Sequence, residues 1–127
     1  RRLEAEAIRD SILAVSGQLD NSSGGPSVSD KSKRRSVYLK QRRENFPHQQ
    51  MLFDGATGIV SCAQRTVATT ALQPLWLMND EFVQLSARQF AKQAQSVEGI
   101  MPRAIGRNAT PKELETLTSK YTTRSVP

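Results

Sequence analysis

At 127 residues the chain is long enough for one domain with a single modest core, and a hydrophobic content of 37% makes that core thin. One cysteine and one histidine exclude an internal disulfide, the usual zinc sets and a C-x-x-C-H haem attachment, all of which need more ligands than this. The net charge of +6 is local: seven of the 18 basic residues lie between Lys31 and Arg43 with no acid among them, which leaves 11 basic against 12 acidic residues elsewhere.

The chain opens Arg1-Arg2-Leu3-Glu4, with neither Met nor an apolar leader, so it is expected to be a segment of something longer. Leu3, Ala7, Ile8, Ile12 and Val15 recur at helical spacing and predict an amphipathic helix over residues 3–15. Glu4, Glu6, Arg9 and Asp10 are expected to face away from the core, and Gly17 to stop the helix. Residues 18–33 have loop composition, with Gly24-Gly25-Pro26 as a turn. Ser36–Lys40 reads as a short strand with no evident partner, and His48–Phe53 as a short helix closed near Gly55. Thr66–Thr70 is β-branched and predicted to be extended.

A helix then carries Leu75-Trp76-Leu77-Met78. Thr70 and Gln73 have capping-box spacing, yet a cap at Thr70 would place Pro74 at the fourth helical position, so a start nearer Pro74 is the alternative. Asn79-Asp80 marks a break and a new N-cap. The next helix, 80–96, is expected to bury Phe82, Val83, Leu85, Ala87, Phe90, Ala91 and Ala94. Pro102 interrupts the apolar stretch around Ile100-Met101, and Thr110-Pro111-Lys112-Glu113 starts a last helix. Residues 1–127 are thus expected to form one small, partial helical domain. It is mainly α, with long loops, at most one or two short strands, and a linker-like stretch over 18–35. No stretch approaches the roughly 20 apolar residues of a membrane span.

Few residues suggest chemistry. His48 follows Phe46-Pro47 with no nucleophile elbow nearby, which argues against a serine triad. Cys62 reads as a small buried hydrophobe, Trp76 as core, and nothing in the sequence brings Asp54 and Glu44 together as an acid–base pair. The basic 31–43 segment could meet a polyanion such as nucleic acid or a sulfated polysaccharide. With only Tyr38 interleaved and no nucleic-acid-binding signature, a solvated loop whose arginines pair with nearby acids is preferred.

Taken in order, Arg2-Leu3-Glu4-Ala5-Glu6-Ala7-Ile8-Arg9-Asp10, Val15-Ser16-Gly17-Gln18-Leu19-Asp20 and Gly24-Gly25-Pro26-Ser27-Val28 resemble one known family. So do Arg34-Arg35-Ser36-Val37-Tyr38-Leu39, Phe53-Asp54, Arg65 with Thr69-Thr70, Leu72-Gln73, Leu77-Met78-Asn79-Asp80, Gly106-Arg107 and Thr110-Pro111-Lys112-Glu113-Leu114. It is similar to the planctomycete-type domain of unknown function found C-terminal in large exported proteins, beside a cytochrome c domain and a second uncharacterised domain. The likeness covers the later part of that domain, without its opening Phe-Gly and His-Pro motifs or its closing Asn-Glu-Phe segment. In one departure, the family tends to read Pro-Leu-Gln-Ala-Leu where this chain has Ala71-Leu72-Gln73-Pro74-Leu75.

The resemblance implies an extracytoplasmic bacterial parent whose other domains, a cytochrome c domain among them, are the partners. Any haem would sit in that neighbouring domain. It supplies no catalytic residue. The expected role is a non-catalytic accessory domain in which Arg34, Arg35, Tyr38, Arg42, Arg65, Gln73 and Asn79 hold loops onto helices. No catalytic, cofactor or metal residue is expected in this segment, and polyanion binding through 31–43 is the alternative.

Overall fold

The structure is a computed structural model that describes residues 2–42, 46–56, 61, 63–65, 68–94, 96 and 98–124. Among them it is mainly helical, with no strand or sheet: α1 Ala5–Val15, a 3₁₀ turn Ser36–Tyr38, α2 His48–Leu52, α3 Leu72–Asn79, α4 Glu81–Gln93, α5 Ile100–Ile105 and α6 Pro111–Arg124. The chain divides into two compact units, Arg1–Ala87 and Arg88–Pro127.

In the first unit α1 packs against α2 and the 3₁₀ turn. It stops where the sequence places the stop. Ser16 is the C-cap, Gly17 takes the left-handed φ of 66° that a side chain would resist, and Gln18 N–H reaches back to the Leu13 carbonyl at 2.8 Å. Gly17 N–H meets the Ala14 carbonyl at 3.0 Å, which completes a Schellman ending.

The face that α1 buries differs from the apolar stripe. Its buried line is Ala5, Arg9, Leu13 and Ser16, while Ala7, Ile8, Ile12 and Val15 are half-buried and Leu3 is exposed. Arg9, expected to face solvent, is 3% exposed. The apolar rule failed because the Arg9 stem lies in line with buried Ala5 and Leu13 while its head meets loop carbonyls.

The stretch expected as a strand at Ser36–Lys40 is a 3₁₀ turn followed by a single bridging residue. Val28 pairs with Leu39 through Val28 N–H to the Tyr38 carbonyl, 2.9 Å, and Lys40 N–H to the Val28 carbonyl, 2.8 Å. Asp20 pairs with Arg34 through Asp20 N–H to the Lys33 carbonyl, 2.9 Å. Between these bridges the loop turns back at Gly24 and Gly25, both at positive φ, so pairing cannot extend into a ladder. Asp20–Arg34 thus closes the linker-like stretch on itself, and Val28–Leu39 ties it to the residue that follows the 3₁₀ turn.

α2 ends in a tight turn. Asp54 has φ of 60°, and the Gly55 backbone lies so close to α2 that a Cβ there would stand 2.7 Å from the Gln50 carbonyl oxygen. α3 starts at Leu72 after Ala71, one residue beyond the start a Thr70 cap gives and two before Pro74. Pro74 therefore occupies the third helical position, where no N–H is needed, and the helix forms without losing a bond. Asp80 breaks α3 from α4 and accepts Phe82 N–H at 2.9 Å on its carboxylate.

On α4 the expected core positions divide. Ala94, just past its end, is buried, Phe82, Val83 and Phe90 are half-buried, and Leu85, Ala87 and Ala91 are exposed. Ser86 is the residue of α4 that buries.

In the second unit Pro102 does not interrupt a helix. It stands in the first turn of α5, where proline is tolerated, and Gly106 closes the helix with φ of 72°. The last helix starts as its sequence dictates. Thr110 N–H and Oγ1–H both donate to Glu113 Oε2 at 2.9 Å, and Glu113 N–H reaches back to Thr110 Oγ1 at 3.4 Å. Arg107 grips the same carboxylate in a two-pronged pair at 3.0 and 2.8 Å. Cys62, Glu44 and Thr66-Val67, each given a sequence expectation above, lie outside the described residues.

Candidate functional site

The densest polar arrangement in the first unit grows from Arg9-Asp10 on α1. The Arg9 guanidinium donates to the Arg34 carbonyl (2.9 Å), Ser36 Oγ (3.4 Å), the Asp30 carbonyl (3.2 Å) and the Ser32 carbonyl. It also lies 5.8 Å from the Phe82 ring centroid. Burial pushes the Arg9 group below its ordinary pKa, and the negative charges of Asp10 and Asp30 work against that shift. Asp10 takes Ser36 N–H at 2.8 Å and Ser36 Oγ–H at 2.7 Å. Two consecutive helix residues thus hold the backbone of 30–36.

A second clamp sits on the loop itself. Arg34 lies over Tyr38, its Cζ 4.0 Å from the ring centroid, and donates to the carbonyls of Ser22 (3.1 Å), Pro26 (3.3 Å) and Gly24. Gly24 N–H donates to Tyr38 Oη at 3.0 Å. Glycine at 24 and 25 lets this backbone curl around a planar cation, and the guanidinium offers its donors in the plane where the carbonyls stand.

The remaining sequence-derived residues fall at separate places. Arg35 is largely exposed, 3.8 Å from Asp10. Arg42 is exposed beside a recess of about 290 Å³ shared with Ser29, Asp30, Lys40 and Pro47. Arg65 pairs with Glu6 at 2.7 and 3.0 Å and with Glu4 at 3.4 Å. Its hydrogen bonds hold the Glu6 carboxyl below the usual range against the opposing effect of burial. The Gln73 amide donates to the Leu52 and Ala68 carbonyls, each at 3.0 Å, and accepts Thr70 N–H at 3.4 Å. Asn79 donates to the Leu75 carbonyl at 2.9 Å. Asp54 pairs with Arg2 at 3.3 Å and accepts Ala68 N–H at 3.0 Å.

The structure brings Arg34 and Tyr38 together, but it does not gather all seven residues into one site. Sequence reading missed Arg9 and Asp10. The available signal was the i, i+4 spacing of Arg9 with Ala5 and Leu13, followed at i+3 by Ser16. It also missed a cleft of about 540 Å³ in the first unit whose wall includes Trp76, Phe82, Pro47 and Leu85, with Asp30 and Glu81 on its lining. Among the described residues, no three His, Cys, Asp or Glu side chains form a group that could hold a metal ion. No helix among them is long and apolar enough to cross a membrane.

Fold and polar geometry define a mainly helical protein whose loops are pinned by arginine. Residues 1–121 match the family model of PSD1, described as a protein of unknown function (DUF1553), and the chain belongs to that family. No curated protein and no solved structure matches.

Proposed function

We propose that the chain is a non-catalytic accessory domain of a large exported bacterial protein, docking onto the other domains of its parent, with a cytochrome c domain among them. The observation that carries this reading is the outer face of α3. Leu72, Leu75 and Met78 share it, with 62%, 52% and 68% of their surface exposed, and Met51 at the end of the short α2 is 57% exposed. Apolar side chains grouped this way on a small protein mark an interaction surface. Arg34, Arg65, Gln73 and Asn79 are taken up by carbonyls and carboxylates of the fold itself. The sequence resemblance supplies the proposed setting: an extracytoplasmic parent, with any haem in a neighbouring domain. The test of that setting is the complete reading frame of the parent. A secretory leader and an upstream C-x-x-C-H support it, and a frame with neither overturns it.

A second reading, polyanion binding, draws on the exposure of Lys31, Lys33, Lys40 and Arg42. Salt-sensitive binding to heparin that disappears when Lys31 and Lys33 become Ser would favour it over docking.

A further inference from the structure

We infer that the cleft beside Trp76 receives an arginine or lysine side chain from a partner polypeptide. This rests on the reading of the chain as an interaction domain and assigns that domain a specific pocket. The first observation is where the fold leaves carboxylates without a hydrogen bond or close ion pair. Among the described acids of the first unit, Glu4 and Glu6 are held by Arg65, Asp10 by Ser36, Asp20 by Ser22 N–H, Asp54 by Arg2 and Asp80 by Phe82 N–H. Among the described residues no hydrogen bond or ion pair holds the carboxylates of Asp30 and Glu81, Asp30 acting on Arg9 through its charge alone, and both line this cleft. In a chain of net charge +6 such a convergence is against the general trend.

The second observation is the wall between them. Trp76 and Phe82 lie 6.3 Å apart at 32°, and Phe53 meets the back of Trp76 edge-on at 5.6 Å, which fixes the indole. Pro47 and Leu85 extend the apolar surface, with Leu85 54% exposed. Lys31 and Arg9 also line the cleft, but Arg9 is already surrounded by its four oxygen acceptors. Among the described residues the lining carries three carboxylates, Asp30, Asp80 and Glu81, against the two cations Arg9 and Lys31. A volume of about 540 Å³ falls within the ordinary range for a ligand pocket. An aromatic shelf with carboxylates at its edge suits a long aliphatic stem ending in a cation: the stem lies on the rings and the head reaches the acids.

The chain has one tryptophan, so its fluorescence reports this cleft directly. The intact chain is titrated with the peptides acetyl-Arg-Leu-amide, acetyl-Lys-Leu-amide and acetyl-Glu-Leu-amide. The expected result is a saturable change in Trp76 emission with the two basic peptides and none with the acidic one. Changing Asp30→Asn and Glu81→Gln together, with the fold checked by circular dichroism, is expected to weaken the basic peptides about fivefold, as for two partly exposed charge pairs. The proposal falls if the basic peptides leave Trp76 unchanged, if the acidic peptide binds equally well, or if the double variant binds the basic peptides undiminished. A negative result here with docking through α3 still measured would remove the cleft assignment and leave the proposed function standing.

Discussion

Replacing Arg9 by Met keeps the stem that lies along α1 and removes the head that holds the 30–36 backbone. Four acceptors lose their donor at once: the carbonyls of Asp30, Ser32 and Arg34 and the hydroxyl of Ser36. Each hydrogen bond to a charged group contributes about 1.5–3 kcal/mol net, but loop carbonyls regain some water once the guanidinium is gone. We therefore expect a loss of about 3 kcal/mol, near the lower end for breaking a buried charged network from one side. Arg9→Lys keeps the charge but presents one nitrogen where the planar fork presented two, and about half that loss is expected. Urea unfolding followed by Trp76 fluorescence reads the first unit, where both residues lie. With a slope near 1.5 kcal/mol/M, a 3 kcal/mol loss lowers the midpoint by about 2 M. An Arg9→Met midpoint within about 0.3 M of the unaltered chain would refute the view that α1 holds the loop through this residue.

Three further outcomes follow from the geometry. Arg34→Lys should cost about 1–2 kcal/mol in the same assay, because the stack on Tyr38 and the three carbonyl contacts need a planar head; Arg35→Lys, at a largely exposed site, should stay within about 0.5 kcal/mol. Glu113 has its carboxyl pulled from an ordinary 4.5 down to about 2 by Arg107 first and then by Thr110. Because the folded value is the lower one, the support this gives the start of α6 is complete above the unfolded value and is lost as pH falls from 4.5 through about 2. Carboxyl NMR should show that depressed titration, and Arg107→Gln should move it back toward 4.5. Gly55→Ala should cost about 1–3 kcal/mol by urea unfolding, since its Cβ would sit 2.7 Å from a backbone oxygen that cannot swing aside; a neutral result would show that the 53–55 turn moves freely.

Much of the local structure was legible because it depends on neighbours in sequence. Gly17 ending α1, Asp80 separating α3 from α4 and the Thr110–Glu113 box starting α6 all act within a few residues of themselves. The strand expected at Ser36–Lys40 failed for the opposite reason. Whether Val37-Tyr38-Leu39 becomes a strand depends on a partner, and the loop supplies only Val28 before turning away. Arg9 was misread because a charge among apolar residues is normally solvated. Its burial requires the carbonyls of residues 30–34, some twenty positions later, and no local pattern announces them. The Trp76 cleft draws on Asp30, Pro47 and Glu81, which come together only after folding, so local pattern assigns Trp76 only its commonest role as core.

The most direct test of the proposed docking is isothermal titration of this chain against the remainder of its parent protein, including the cytochrome c domain expected there. The account predicts measurable binding that drops at least tenfold, about 1.4 kcal/mol, when Leu75 and Met78 on the outer face of α3 are both changed to Asp. Binding that survives this double change undiminished, or no binding by the unaltered chain, would contradict it.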